Sequence, residues 1–417
     1  MEKIIDSHIW FEYLSDAPLH KMQCTYQSGK STETALHNLV TKIEKTLQSK
    51  EIALTAFLDI EGAFDRTGFS CISQAAETKR IETSTVNWIM EMLQCRIISA
   101  NLGGDSVTIK ATRGCPQGGV LSPLLWSLVI DRLLNILSSE GLEVICYADD
   151  IVIVVRGKFD SIICDRLQVA LDLVWDWCLR NDLSVNASKT VIIPFTRKTS
   201  LKLIPLHLGG STLEFQKETK YLGVMLDSKL LWNSHLSMVI TKATNCWMAC
   251  RNLIGKKWGL NPKMILWLYL TVIRPIILYA AFIWWPKTLE VSAKAKLAKL
   301  QRLPCLAITG AMRSSPTVAL EALLDLIPLS AQVQYMATLT GFRYHRDYGF
   351  LPGDLTGHLK ICERLLGMSD ILTVSDCMPI AYNFDLPFDI VIPNRTEWAV
   401  GPFQASQNSL SFFTDGS

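Results

Sequence analysis

The sequence lacks an excess of charge of either sign. Among 417 residues, 41 Lys and Arg stand against 39 Asp and Glu, a net charge of +2. Global charge therefore neither favours nor excludes a nucleic-acid partner, and any grip on a phosphate backbone must come from a local basic cluster. Charge is sparse overall, at 19% of residues against 49% hydrophobic ones. With a mean hydropathy of +0.22, this composition excludes a disordered chain, which could not bury enough apolar surface to offset its ordering entropy. The chain has no internal repeat and no CxxC pair among its 12 cysteines. The first ten residues, MEKIIDSHIW, contain no apolar signal-peptide core. The cysteines are therefore expected to be reduced core residues of an intracellular protein, not a disulfide framework or a zinc site.

One long apolar run, Met264 to Pro286, is long enough for a bilayer. Arg274 near its centre, with Pro275 beside it, makes that placement costly in lipid. A buried helical hairpin or kinked helix is expected instead, with no membrane partner.

Local patterns suggest a helix over 31–48, capped by Ser31 or Thr32 with Glu33 in its first turn. Residues 52–58 read as a buried strand ending at Asp59, with a turn at Gly62. Residues 113–118 (RGCPQG) are loop material, and 120–137 a buried helix with Pro123 confined to its first turn. Residues 143–155 read as a hairpin with Ala148, Asp149 and Asp150 at its tip. A helix over 162–180 and strands at 190–195 and 220–226 follow. Helical patterns dominate from about 235 to 345, and after 350 the chain becomes irregular. The expected class is α+β, a sheet domain followed by a mostly helical one.

Three aspartates at strand ends are the chemical signal. Asp59 and Asp149 lie 90 residues apart, and Asp150 follows directly. If their strands pair, the carboxylates converge, and such a cluster is stable mainly when cations neutralise it. Hard oxygen ligands with room for waters and phosphates suit Mg²⁺, and two such ions suit phosphoryl transfer. On spacing alone, an ordinary polar turn is the preferred reading of Asp-Asp.

The blocks around these acids carry a resemblance. YQSGKSTETALH at 26–37, FLDIEGAFD at 57–65 and RGCPQGGVLSPLLW at 113–126 come first. YADDIVIV at 147–154, LSVNASKT at 183–190 and KYLGVMLD at 220–227 complete the series. In this order they resemble the reverse transcriptases of non-LTR, jockey-like retrotransposons. ILYAAFIWWP at 277–286 and the stretch from Leu300 to Leu324 are similar to the region that follows the polymerase core in these elements.

The resemblance implies a right-hand polymerase: palm and partial fingers over 1–230, a helical thumb and following region over 231–345, a linker over 346–410, and the start of a truncated ribonuclease H domain at 411–417. That last domain needs several carboxylates and only Asp415 is present, so no ribonuclease H activity is expected. The family's endonuclease and its arginine-containing finger block have no counterpart here, so the fingers are expected to be incomplete. Arg66 stands where relatives often have a small polar residue, and the resemblance gives it no role.

Residue by residue, Asp59, Asp149 and Asp150 match the catalytic, metal-binding acids, with the Ile60 carbonyl completing the shell of two Mg²⁺, or Mn²⁺ as a substitute. Phe64 matches the ring beneath the incoming sugar that excludes a 2′-hydroxyl; core packing is its other reading. Gly114, Gln117, Gly118 and Lys189 match nucleotide contacts, although Lys189 also reads as part of a solvated turn. Tyr221, Leu222 and Gly223 match the hairpin that holds the primer end. From Arg251 to Gly310 there are ten basic residues against Glu290 alone. Among them Lys256, Lys257, Lys294, Lys296, Lys299 and Arg302 are candidates for nucleic-acid backbone contact, or form the solvated face of amphipathic helices. Trp247, Trp258 and Trp267 are expected in the core.

The implied function is RNA-directed DNA polymerisation, with an RNA template, a DNA primer and deoxynucleoside triphosphates as partners. The implied location is the nucleus and a cytoplasmic ribonucleoprotein. The alternative is a catalytically silent retrotransposon remnant that keeps the fold and at most binds nucleic acid.

Overall fold

A ten-residue strand of almost unbroken apolar character, β1 (Ile52–Glu61), lies inside the main sheet and is buried on both faces. The computed structural model describes residues 1–102, 105–251, 259–348 and 355–365. Before β1 come α1 (Glu2–His8) and α2 (Thr32–Gln48). Ser31 caps α2, its N–H donating to Thr34 Oγ1 at 3.1 Å. After β1 come the short α3 (Ala63–Arg66), α4 (Phe69–Thr78) and α5 (Thr83–Gln94). A separate hairpin, β2 (Ile97–Leu102) and β3 (Asp105–Lys110), precedes α6 (Ser122–Ser139), whose Pro123 sits in the first turn as predicted.

The predicted hairpin is β4 (Glu143–Tyr147) and β5 (Asp150–Gly157), followed by α7 (Asp160–Arg180). Then come β6 (Ser184–Val185), β7 (Val191–Phe195), and the small hairpins β8 (Leu206–Leu208) with β9 (Ser211–Leu213) and β10 (Glu218–Tyr221) with β11 (Val224–Asp227).

The main sheet runs β4-β5-β1-β6, with β7 also on β1, all antiparallel. Alternation along β1 divides two cores. Leu54, Ala56, Leu58 and Ile60 pack with α4, α6 and α7; Ala53 and Phe57 pack with α2 and the helices that follow β11. Asp59 shares the face of Phe57, by the same alternation.

Two strand expectations need correction. β1 does not end at Asp59 but runs on to Glu61, because β6 pairs with Ile60 and Glu61. Residues 220–226 are not one strand but two, turned at Leu222 (φ 43°) and Gly223 (φ 83°). Two successive positive φ values make a tight hairpin turn with the twist the strands require.

The helical part comprises α8 (Asn233–Arg251), α9 (Pro262–Leu268), α10 (Arg274–Leu278), α11 (Ala281–Trp284), α12 (Val291–Thr309), α13 (Thr317–Leu323) and α14 (Leu329–Tyr348). The long apolar run is kinked, as expected, with a 53° bend between Leu278 and Ala281. No single described helix is long and apolar enough to cross a membrane. Phe282, Ile283 and Trp284 are instead fully buried in the protein core.

The expected linker from 346 begins too early. Residues 357–365 form a 3₁₀ helix that buries Leu359, Ile361 and Cys362. His358 Nδ1 meets Glu44 Oε2 on α2 at 2.8 Å, and His358 Nε2 meets His37 Nδ1 at 2.9 Å. Residues 366–417, with the expected ribonuclease H start and Asp415, lie outside the described residues. Residues Met1–Gly367 form one unit by internal contacts. Eight of the described cysteines are buried and none is in a disulfide.

Burial holds His235 down to about 4 and His37 well below the usual imidazole range. Both are neutral in the folded chain and charge more readily when it unfolds. Their contribution to stability is therefore full above pH 6.5 and falls as the pH drops towards 4. His235 alone accounts for a loss on the order of 3 kcal/mol across that window. Urea denaturation of the wild type and of His235→Gln at pH 7.5 and 4.5 checks this: the stability of the wild type relative to the variant falls at pH 4.5, and an unchanged difference would refute it.

Candidate active site

The site forms where the β4–β5 turn meets the end of β1. Ala148 takes φ 58° in that turn, a strained conformation for a non-glycine residue. Its surroundings hold it there. Its N–H donates to Thr25 Oγ1, and its carbonyl accepts from Trp126 Nε1 at 2.9 Å. Residues 22–24 bond along the outer side of β4, with Cys24 N–H to Cys146 O at 2.8 Å and Cys146 N–H to Met22 O at 3.0 Å. Ile60 N–H donates to Asp149 O at 3.2 Å, tying the turn to β1.

Strand register sets Asp59 directly across from Asp150. Asp59 Oδ2 accepts from Lys189 Nζ at 2.8 Å, which raises the lysine above its ordinary value and keeps it charged. Asn186 fixes the turn that carries Lys189, its Oδ1 accepting from the Ser188 and Lys189 N–H groups at 2.9 and 3.1 Å. Asn186 N–H also donates to Asp59 O at 3.2 Å.

Burial is the largest cause raising Asp149; the neighbouring Asp59 adds to it. Asp150 is pushed up to about 6, first by burial and then by Asp149 and Asp59. Asp59 and Asp149 line an open cavity of about 430 Å³, together with Ile60, Glu61, Gly62, Asp65, Arg66 and Lys189. Asp150 is not in the lining. Among the described residues no group of three or more His, Cys, Asp or Glu forms a ready metal cage.

Phe64 does not line the cavity; its immediate neighbour Asp65 does. Its ring lies 6.3 Å from that of Trp126 and 6.5 Å from that of Tyr26. Gln117 Nε2 donates to both Asp65 oxygens, at 3.0 and 3.1 Å. The 113–118 loop is held against α3 by Cys115 N–H to Phe64 O at 2.6 Å and Gly114 N–H to Thr67 O at 2.8 Å. Gly114 has φ 82°, and a Cβ there would lie 2.5 Å from Asp65 O. Gly118 also has positive φ but open space around it.

Tyr221 is buried, its ring 5.3 Å from Phe57, and the Leu222–Gly223 turn accepts a hydrogen bond from Tyr279 Oη at Leu222 O, 2.8 Å.

The basic candidates divide. Lys294, Lys296 and Lys299 are exposed on α12. Arg302 donates to Thr317 Oγ1 at 2.8 Å and to Arg313 O, bracing the turn after α12. Lys287, part of the same basic run, is buried and paired with Glu290 at 2.7 Å. Lys256 and Lys257 lie outside the described residues. Trp247 is buried as expected, but Trp267 is 62% exposed, and Trp258 lies outside the described residues.

Sequence reasoning did not find Thr25, Trp126 or Asn186. Trp126 and Asn186 sit inside quoted blocks, but nothing marks an indole or an amide as a brace. Thr25 has no sequence signal at all.

A family profile described as reverse transcriptase (RNA-dependent DNA polymerase) matches residues 1–226. The chain belongs to this family. Among its relatives, the putative 115 kDa protein in type-1 retrotransposable element R1DM of Drosophila melanogaster is 25% identical over 332 residues, 79% of this chain and 31% of that protein. The RNA-directed DNA polymerase from mobile element jockey of Drosophila funebris is 26% identical over 381 residues, 87% of this chain and 40% of that protein. The resemblance to retrotransposon reverse transcriptases is thus borne out. The chain spans between 31% and 40% of the length of these two relatives. Among solved structures, apo telomerase from Candida tropicalis aligns with a TM-score of 0.44 at 11% identity, covering 89% of this chain and 60% of that one. Members of the reverse transcriptase family generally depend on divalent metal ions.

Two expectations follow. Gly114→Ala forces a Cβ against the Asp65 carbonyl at positive φ, costing about 1–3 kcal/mol in chemical denaturation. Asp150→Asn acts in the other direction. The carboxyl's folded pKa, about 6, exceeds its unfolded value, so its contribution is favourable at low pH and lost as pH rises through 6. Removing the charge therefore stabilises the metal-free chain at pH 7.5, by roughly 1–3 kcal/mol, and leaves it unchanged at pH 3.5.

Proposed function

We propose that this chain is an RNA-directed DNA polymerase of a non-LTR retrotransposon, adding deoxynucleotides to a primer 3′-hydroxyl. The observation that carries this reading is the meeting of Asp59 and Asp149 on one open cavity, with Asp150 across the strand pair from Asp59.

The donor set fits Mg²⁺, with Mn²⁺ as a substitute. Two carboxylates with Ile60 at the same rim leave positions for waters and substrate phosphates, which suits an ion that dehydrates reluctantly. Two such ions would supply charge neutralisation at the attacking and leaving oxygens of a phosphoryl transfer.

The chain's own groups then position the reactants. Asp59 and Asp149 would hold the ions, and Asp150 would support them from the neighbouring strand. Lys189, protonated beside Asp59, lies at the cavity where a triphosphate would enter. Phe64, braced by Tyr26 and Trp126, sits one residue from the cavity wall and is assigned to sugar selection. Gln117, held by Asp65, is assigned with Gly114 and Gly118 to the nucleotide and template. Tyr221, Leu222 and Gly223 seat the primer end. Lys294, Lys296 and Lys299 present a sequence-independent surface to nucleic-acid phosphates. Rate enhancement on this reading comes from positioning and charge neutralisation, without a covalent intermediate. The proposed settings are the nucleus and a cytoplasmic ribonucleoprotein. The proposed division is palm and partial fingers to residue 230, then thumb.

Primer extension on poly(rA)/oligo(dT) with Mg²⁺ and dTTP tests the reading. The wild-type chain is expected to extend the primer, and Asp149→Asn to lose at least about 10²–10³-fold in rate. A folded wild-type chain that extends nothing would leave a reverse transcriptase fold without the activity.

A further inference from the structure

Arg66 lines the same cavity as Asp59 and Asp149. Its stem runs across Gly62, where a Cβ would come 2.8 Å from Arg66 Cγ and 2.9 Å from Cδ. Gly62 also holds φ 65°, so glycine both makes the turn and leaves the path for the arginine. The guanidinium donates from Nη1 to Ser184 Oγ at 2.9 Å and stands 3.7 Å from Glu61 Oε2, beyond hydrogen-bond distance. Glu61 is already served by neutral donors: Ser184 Oγ to Oε2 at 3.1 Å and Asn186 Nδ2 to Oε1 at 2.6 Å.

The cavity's other cation, Lys189, is closed on Asp59 at 2.8 Å. Arg66 is thus the cavity cation that is not hydrogen-bonded to a carboxylate. A guanidinium carries five N–H donors. Among the described residues, Ser184 is the one acceptor recorded for it. Its side chain is 52% exposed. A planar fork with donors to spare matches phosphate oxygens, and this one stands beside acids that would otherwise repel a polyphosphate.

We infer that Arg66 binds the polyphosphate of the incoming nucleotide, as a second cationic contact beside Lys189. The inference rests on the polymerase reading above and gives that site a residue the family resemblance leaves without a role. The pyrophosphate product offers the same chemistry, so the test separates the two.

The variant is Arg66→Met, which keeps the stem over Gly62 and removes the fork. Equilibrium dialysis with the full chain and Mg²⁺ measures dTTP, dTMP and pyrophosphate. The expected result is dTTP binding weakened about tenfold, with dTMP and primer–template affinity unchanged. In primer extension, KM for dTTP rises by a similar factor while kcat stays within about two-fold. Arg66→Lys restores part of the loss. Unchanged dTTP binding in Arg66→Met would overturn the inference. So would equal loss of dTTP and dTMP, which marks a support role through Ser184. Loss confined to pyrophosphate overturns the substrate assignment, and so does a wild-type chain that binds dTTP no better than dTMP. A chain whose dTTP binding depends on Arg66 but which extends no primer upholds this inference and removes the polymerase reading alone.

Discussion

Like charges repel, and this chain holds three of them together by strand pairing. Asp59 and Asp150 face each other in register between β1 and β5, and Asp149 occupies the turn beside them. Burial first, and the neighbouring carboxylates after it, push Asp149 and Asp150 up. Such acids stay together only if the backbone is fixed independently of them. β1 provides this, being paired on both edges and buried on both faces. The turn is fixed separately by Thr25 and Trp126, which hold Ala148 in a conformation it would not choose alone. The two apolar cores thus serve an electrostatic end: they fix the backbone that holds the carboxylates side by side.

Much of this was legible in the residues. The hairpin acids, the strand before Asp59 and the buried helix with Pro123 in its first turn leave strong local signals. What stayed hidden is tertiary. β1 runs past Asp59 because of Ser184 and Val185, a partner only two residues long and far along the chain. Leu222 is not a turn-forming residue, so the residue pattern at 220–226 reads as one strand, and the hairpin at Tyr221, Leu222 and Gly223 came from the family resemblance alone. Residues 357–365 look like linker by composition, yet His358 finds Glu44 and His37 on α2, more than three hundred residues earlier. Trp267 misled for the opposite reason: a tryptophan in an apolar run reads as core, but its side of α9 has no described neighbour to cover it.

The site residues divide in the same way. Acids announce themselves, because three carboxylates at strand ends need an explanation. Braces do not. Asn186 fixes both the turn bearing Lys189 and the carboxylate of Glu61, and no pattern distinguishes it from a surface amide. Arg302 shows the converse. Charge patterning offers it to a nucleic acid, while the fold uses it to hold the turn before α13.

The hydrogen bond from Tyr279 to Leu222 joins parts of the chain 57 residues apart. Tyr279 sits at the kink between α10 and α11, and its ring Cε1 comes within 3.0 Å of where a Gly223 Cβ would be. The hairpin tip and the helical kink therefore share one mechanical joint, with no side chain between them to absorb slack. One hydrogen bond and one close ring approach fix the tip against the kink. Tyr221, packed against Phe57 two residues before Asp59, continues that packing to the strand that bears the first acid.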